Sequence, residues 1–220
     1  MEGVLMAVIT IANVKGGCMK STSAINLAVE LHHRDYRVLL IDADSSVKSV
    51  SRWEQDRQET GQDTIPVLEK TGNLAKQLKA LSHDYDAVIV DVPGFDSTEM
   101  RTALLASDVV LVPVFPSQFD VDTTTTEMRH VLDQAEEFNP DLKELVILTK
   151  VDTHPFGDEA SSAREILTRH FPLATTELHE RKIYRTTAAD GSSVIEAGSS
   201  KARTEFRSLT DELLPHLTIN

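Results

Sequence analysis

The most telling segment of the chain reads Asn13-Val14-Lys15-Gly16-Gly17-Cys18-Met19-Lys20-Ser21-Thr22. An apolar, β-like run over residues 7–12 precedes it, and a helical pattern of apolar residues follows it. A strand, a glycine-rich turn and a helix N-terminus together form an anion site, because the free N–H groups of the helix point at the anion. Gly16 and Gly17 let the backbone approach phosphate oxygens, and Lys20 would neutralise their charge. The segment therefore predicts a phosphate-binding loop, with the Ser21 hydroxyl placed to bind Mg²⁺.

Length and composition limit the possible classes of protein. With 220 residues the chain can bury a sizeable core, and we expect a single domain over residues 1–220. The net charge of −13 excludes a protein that coats nucleic acid with its whole surface, but it permits a local basic patch. The single cysteine excludes a disulfide framework, a structural zinc site and a cysteine-ligated cluster. No apolar run approaches the ~20 residues of a membrane span and no signal peptide is recognisable, so we expect a cytoplasmic protein without a membrane partner.

Short apolar runs alternate with longer amphipathic segments along the chain. The runs are continuous and β-branched, which is typical of strands buried on both faces. They occupy residues 8–11, 38–41, 87–90, 109–112 and 145–148. The intervening segments 47–57, 73–82, 99–106, 123–138 and 158–170 are long enough for helices. This alternation predicts an α/β fold with a doubly wound, mostly parallel sheet flanked by helices.

Three carboxylates follow the predicted strands. Asp42 and Asp44 come after the second strand, and Asp91 ends the third and is followed by Val-Pro-Gly. Open α/β sheets bind ligands at the carboxyl ends of their strands, so we expect these side chains at the phosphate loop. Aspartate also ends many strands simply because it favours turns. The order of the loop and the carboxylates along the chain favours the nucleotide site.

Lys15 gives the loop two lysines, and the loop therefore resembles the deviant Walker A motif K-G-G-x-G-K-[ST] of the ParA/MinD family of dimerising ATPases. The resemblance implies ATP and Mg²⁺ as cofactors and a P-loop NTPase fold. It implies that Lys15 reaches the phosphates of the other subunit of an ATP-bound homodimer, while Lys20 acts within its own subunit. Met19 departs from the motif, because the family has glycine at this position. The nucleotide-binding residues implied for the loop are Lys15, Gly16, Gly17, Cys18, Met19, Lys20, Ser21 and Thr22.

Segments outside the loop extend the resemblance. Asp91 resembles the Walker B aspartate that holds Mg²⁺, and Asp44 matches the aspartate that positions the attacking water, although serines replace the Pro and Gln that follow it in the family. The resemblance therefore implies Lys15, Lys20 and Asp44 as catalytic residues and Ser21, Asp91 and Asp44 as the metal site. Pro113 resembles the strand-ending proline beside the nucleotide, and Asp152, in a T-K-x-D segment, would contact the base.

The C-terminal third resembles small plasmid ParA proteins. It contains the segments R-x-x-Y at 181–184 and G-x-S-V-x-E at 191–196, and nothing like a helix-turn-helix module precedes the first strand. The resemblance implies a nucleoid-associated ATPase that hydrolyses ATP weakly, is stimulated by a ParB-like centromere-binding protein, and drives plasmid or chromosome partition. It also implies that the ATP dimer binds DNA without sequence preference.

A basic segment could supply that DNA contact. Residues 181–207 carry six basic and three acidic side chains, a net charge of +3 (6 − 3) in a chain of −13. Solvated charges on helix faces are the simpler interpretation. The candidate DNA-binding residues are Arg181, Lys182, Arg185, Lys201, Arg203 and Arg207.

Four other functions remain open. A ParA-like protein can position a protein cargo such as a carboxysome, and a loop with Met19 could bind nucleotide without hydrolysing it. The T-K-x-D segment that ends at Asp152 resembles one with which some GTPases read guanine. A MinD-like membrane cycle would need a basic amphipathic helix; residues 210–220 contain two acids, a proline and no Lys or Arg, which argues against this function.

Overall fold

A computed structural model describes residues 6–153 and 158–217. Within them, seven strands form one sheet in the order β3-β2-β4-β1-β5-β6-β7, and every neighbouring pair is parallel. The strands are β1 (Ala7–Ile11), β2 (Val38–Asp42), β3 (Val67–Glu69), β4 (Ala87–Asp91), β5 (Val109–Val114), β6 (Lys143–Val151) and β7 (Leu173–His179). Strands β1, β2, β4 and β5 are buried along their whole length, which is why their sequences are continuously apolar.

Helices connect the strands and cover both faces of the sheet. They are α1 (Lys20–His33), α2 (Ser49–Glu59), α3 (Ala75–Leu81), α4 (Thr98–Leu104), α5 (Gln118–Thr123), α6 (Arg129–Glu136), α7 (Glu159–Leu167), α8 (Lys182–Ala188) and α9 (Lys201–Leu213). A π-helical turn (Thr124–Met128) joins α5 to α6, and a 3₁₀ turn (Leu214–His216) follows α9.

Two apolar cores lie on opposite faces of the sheet. One contains buried residues of α1, α2, α8 and α9, among them Leu27, Trp53, Tyr184 and Phe206. The other contains buried residues of α3, α4, α6 and α7, including Leu132. The chain is therefore a doubly wound α/β domain, as predicted, and its ligand crevice is expected at the carboxyl ends of the strands.

The structure confirms the five predicted strands and adds two. Strand β3 has only three residues, and β7 lies at an edge of the sheet, so both lack a long apolar run. One predicted helix start is wrong. The helix predicted to begin at residue 123 begins at Gln118, because Ser117 accepts a hydrogen bond from the backbone N–H of Asp120 and caps the helix there.

Candidate nucleotide-binding site

The glycine-rich loop follows the first strand and leads into helix α1, as predicted. Lys20 is the first residue of α1, and its Nζ donates a 2.6 Å hydrogen bond to the carbonyl oxygen of Lys15. The loop thus curls around its own lysine, which is only 8% exposed. Cys18 is buried inside the curl, and burial raises the pKa of its thiol. Cys18 is therefore a packing residue of the loop and not a reactive thiol.

Two contacts tie the loop to neighbouring strands. Asn13 is buried and donates a 2.9 Å hydrogen bond from Nδ2 to the carbonyl of Pro113, while its Oδ1 accepts the backbone N–H of Lys15 at 3.0 Å. On the other side, Thr149 Oγ1 donates to the carbonyl of Cys18 at 3.1 Å. The structure therefore places Pro113 inside β5 as a support for the loop.

Met19 has the backbone conformation that glycine adopts most easily. Its φ is 71° and its ψ is 25°, in the left-handed region. Its carbonyl accepts the N–H of Ser23 at 2.8 Å and starts the hydrogen bonding of α1, and its half-buried side chain packs against the core. A bulky residue thus occupies a backbone position that would suit glycine.

Gly94, which follows strand β4, packs directly against the glycine-rich loop. A Cβ at Gly94 would lie 2.9 Å from the Cα of Gly16 and 3.0 Å from the Nζ of Lys20. No side chain fits there without moving the loop. The Pro-Gly segment after Asp91 therefore touches the glycine-rich loop directly.

The three carboxylates gather at the carboxyl ends of β2 and β4. Asp91 is 1% exposed, and none of the described residues donates a hydrogen bond to its Oδ1. Burial raises the pKa of Asp91 to about 7, opposed by the hydroxyl of Ser21. A buried, unsatisfied carboxylate oxygen beside a serine hydroxyl suits a hard divalent cation, so these residues fit Mg²⁺.

Asp42 and Asp44 have different surroundings. Asp42 is buried and accepts the N–H and hydroxyl of Ser51 at 2.8 and 2.9 Å, which fixes the start of α2. Asp44 is half-exposed, accepts the N–H groups of Ser46 and Val47, and lines the cavity beside the loop. Of the three carboxylates, Asp44 is therefore the one that solvent reaches.

The cavity beside the loop has a volume of about 330 Å³. Predicted residues in its lining are Gly16, Gly17, Met19, Lys20, Ser21, Thr22 and Asp44. Sequence reasoning missed Val47, Ser49, Val92, Gly94 and Lys150 as lining residues. Lys150 has a φ of 53°, and the T-K-x-D segment was the signal that could have indicated it. Five other predicted residues are not among the lining residues: Lys15, Cys18, Asp91, Pro113 and Asp152. Asp152 is exposed and directly follows β6.

The six candidate DNA-binding residues fall into two groups. Three are paired with carboxylates: Arg181 with Glu205 at 2.5 Å, Arg207 with Glu30 at 3.3 Å and Arg185 with Glu180 at 3.9 Å. Lys182, Lys201 and Arg203 form no ion pair with the described residues, and both lysines are exposed. All six belong to α8, α9 or the residue before α8, so they share one side of the molecule.

The G-x-S-V-x-E segment proves to be a clamp on α2. Arg57 is 1% exposed at its side chain and donates to both carboxylate oxygens of Glu196, at 2.9 and 2.5 Å, and to the carbonyl of Gly191 at 3.0 Å. Trp53 Nε1 donates to the carbonyl of Ser192 at 2.9 Å. Gly191 has a φ of 68°, and a Cβ there would lie 2.1 Å from the backbone nitrogen of Arg57. The glycine is therefore required by close packing.

Two kinds of feature are absent from residues 6–153 and 158–217. No group of three His, Cys, Asp or Glu residues in these ranges is arranged to hold a metal. None of their helices is long and apolar enough to cross a bilayer.

Together, a parallel sheet, a glycine-rich loop before α1 and a buried strand-ending aspartate define a nucleotide-binding P-loop protein of the two-lysine type. The family model described as VirC1 protein matches residues 6–207, so the chain belongs to that family, within the ParA/MinD group of ATPases.

Known relatives and structures agree with this assignment. The chain is 29% identical to the maintenance of carboxysome distribution protein A of Halothiobacillus neapolitanus over 94% of this chain and 96% of that protein. The fold is similar to the cell division ATPase MinD of Pyrococcus furiosus (TM-score 0.76, 19% identity, 96% and 99% of the two chains). It is also similar to a plasmid partition protein of Borrelia burgdorferi bound to AMPPNP (TM-score 0.70, 20% identity, 95% and 98%). At these identities the two structures support the fold alone.

Proposed function

We propose that the chain is an ATP-switched dimer that positions a cargo made of protein. The observation that carries the nucleotide part is the loop itself, in which Lys20 is held 2.6 Å from the Lys15 carbonyl next to the unsatisfied Asp91 carboxylate. A lysine and a carboxylate on adjacent elements are what a Mg²⁺–triphosphate requires.

Each residue of the site has an assigned role in this proposal. Backbone N–H groups of residues 16–22 bind the phosphates, and Lys20 neutralises them. Ser21 and Asp91 would hold Mg²⁺, which shields the phosphate charge and orients the outer phosphate when bound. Asp44 orients the attacking water through its exposed oxygen.

The dimer part of the proposal is supported by exposed apolar side chains around the site. Val47, Phe95 and Phe119 are 49, 56 and 80% exposed, and they follow the carboxyl ends of β2, β4 and β5. Apolar groups on the ligand-binding edge of the sheet suit a surface that a second subunit covers when nucleotide is present. Lys15 would then complete the site of the partner subunit.

The protein cargo is supported by the resemblance to carboxysome distribution proteins, which extends over nearly the full length of both chains. In this proposal the dimer binds the nucleoid through the basic residues of α8 and α9, and an adaptor on the cargo stimulates its slow hydrolysis. The cycle of binding and release would move the cargo.

Plasmid or chromosome partition is the second candidate. It was the first expectation from the sequence, and it is not confirmed: the full-length relative named above is a carboxysome distribution protein. A sequence likeness to the chromosome partitioning protein ParA of Myxococcus xanthus (28% identity over 66% of this chain and 65% of that protein) keeps it as a candidate. The two candidates share the nucleotide site and the DNA contact and differ in the cargo.

Two experiments test the proposal. ATP titration by calorimetry should show Mg²⁺-dependent binding that Lys20→Ala abolishes, and unchanged binding in that variant would refute the site. A fluorescent fusion imaged in its host should move with a protein assembly. A fusion that instead moves with a plasmid, and whose regular positions in the cell depend on that plasmid, would establish partition.

A further inference from the structure

A groove between α4 and α6 lies on the face of the sheet that carries neither the phosphate loop helix nor the basic residues. Its cavity of about 310 Å³ is lined by Arg101, Leu105, Val131, Gln134, Ala135, Glu137 and Phe138. The α4 and α6 residues beneath it belong to one core, whereas α8 and α9 pack in the other. The groove therefore points away from the proposed DNA contact.

The floor and one wall of the groove are apolar. Val131 and Ala135 form its floor and are 3 and 5% exposed, and Leu105 is half-buried. Phe138 stands at one end with 76% of its surface exposed, just after α6. A phenylalanine this exposed beside an apolar depression costs solvation in the free protein and favours a covered state.

The charges around the groove have one dominant sign. Glu137 lines the groove, and Asp141 follows Phe138 by three residues; both are exposed and form no ion pair with any described residue. The basic residue of the lining, Arg101, is already neutralised by both oxygens of Asp96, at 2.6 Å each, and donates to Gln134 at 2.5 Å. The rim at the Phe138 end is thus negative and uncompensated.

We infer that this groove binds a basic amphipathic helix of a partner protein. An apolar stripe at i, i+3, i+4 and i+7 would enter the depression, as in other complexes that place a helix in a groove. Flanking Lys or Arg residues would meet Glu137 and Asp141, because complementary charge sets orientation and speeds association. Few polar groups converge in the groove, which disfavours a small polar ligand.

The position of the groove suits a partner that takes part in the proposed function. The identification of that partner as a cargo adaptor rests on the proposed function. The adaptor would dock on one face of the sheet while α8 and α9 contact the nucleoid on the other. Binding of the helix itself does not depend on nucleotide.

The test uses the full chain and a synthetic helical peptide of about 15 residues with a leucine stripe and lysines elsewhere. Fluorescence anisotropy should show binding that Phe138→Ser weakens about tenfold and Glu137→Lys several-fold. Phe138 is so exposed that its replacement leaves folding intact. Phe119→Ser is the matched apolar control, and Glu59→Lys makes the same charge change on exposed surface of α2, on the other face.

Three results would overturn the inference: no binding of the peptide, equal weakening by Glu59→Lys and Glu137→Lys, or no effect of Phe138→Ser. Equal binding of a peptide with glutamates in place of lysines would also contradict it. Lys20→Ala should abolish ATP binding and leave peptide binding unchanged, whereas Phe138→Ser should weaken peptide binding about tenfold and leave ATP binding unchanged. Failure of the groove is therefore distinguishable from failure of the nucleotide site.

Discussion

The ammonium group of Lys20 lies 2.6 Å from the carbonyl oxygen of Lys15, within the loop that both residues define. The ammonium has three N–H donors, so it can hold the Lys15 carbonyl and still donate to a phosphate that enters the loop. Lys15 thus holds Lys20 through its backbone carbonyl. The side chain of Lys15 is therefore left for another partner. Because the two lysines use different groups, we expect substitutions of Lys15 and Lys20 to affect dimerisation and nucleotide binding differently.

Met19 should both lower and raise the free energy of unfolding, through its backbone conformation and its side-chain packing respectively. Its left-handed backbone costs about 1–2 kcal/mol relative to glycine, and its half-buried side chain returns part of that through packing. We expect Met19→Gly to change the free energy of unfolding by less than about 1 kcal/mol and to tighten ATP binding. Met19→Val, which is β-branched, should destabilise more. Urea unfolding and calorimetry measure both effects, and weaker ATP binding by Met19→Gly would show that the loop needs the methionine.

Asp91 should make stability depend on pH. Its pKa is raised to about 7 in the folded chain from an unfolded value near 3.8, mainly by burial, so the folded state binds the extra proton. Stability should therefore fall as pH rises from about 4 to 7 and level off above 7. Mg²⁺ needs the ionised form, so Mg²⁺-dependent ATP affinity should rise over the same range. Asp91→Asn should remove both dependences, and their persistence in that variant would assign them to another group.

The Arg57–Glu196 pair should be a large contributor to stability. Glu196→Gln leaves a guanidinium that is 1% exposed without its counter-charge, which should cost about 3–5 kcal/mol in urea unfolding. The exposed pair Arg169–Glu165 is the control, and Glu165→Gln should cost less than about 1 kcal/mol. Similar costs for the two substitutions would mean that water reaches Arg57.

The basic residues of α8 and α9 should contribute unequally to DNA binding. Lys182 and Lys201 are exposed and lack ion pairs within the described chain, whereas Arg181 is held by Glu205. Replacing both lysines by Ala should lower the salt dependence of duplex binding by about two units of slope, and Arg181→Ala by less than one. Filter binding of the ATP-bound protein across salt concentrations measures the slopes. Equal effects of Arg181 and the two lysines would show that Glu205 releases the arginine on DNA.

Much of this architecture was predictable because local sequence carries it. The central strands are continuously apolar, and the loop motif places Lys20 at the start of α1, so both follow from short segments. The pairing of Arg181 with Glu205 and the clamp of Arg57 on Glu196 join residues far apart in sequence, and no local pattern contains them. The same holds for the approach of Gly94 to Gly16, which depends on how β4 and β1 pair. The helix start predicted at residue 123 is wrong because the cap is Ser117, which accepts the backbone N–H of Asp120, so that the helix begins at Gln118.

The most direct test of the nucleotide-switched dimer is light scattering with a slowly hydrolysed ATP analogue. The wild-type chain should change from monomer to dimer on adding the analogue and Mg²⁺. Lys20→Ala should remain monomeric because it does not bind the analogue, and Lys15→Ala should remain monomeric although calorimetry shows that it does. A Lys15→Ala protein that dimerises like the wild type would contradict the role of Lys15 across the interface, and a wild-type chain that stays monomeric when saturated would contradict the switch itself.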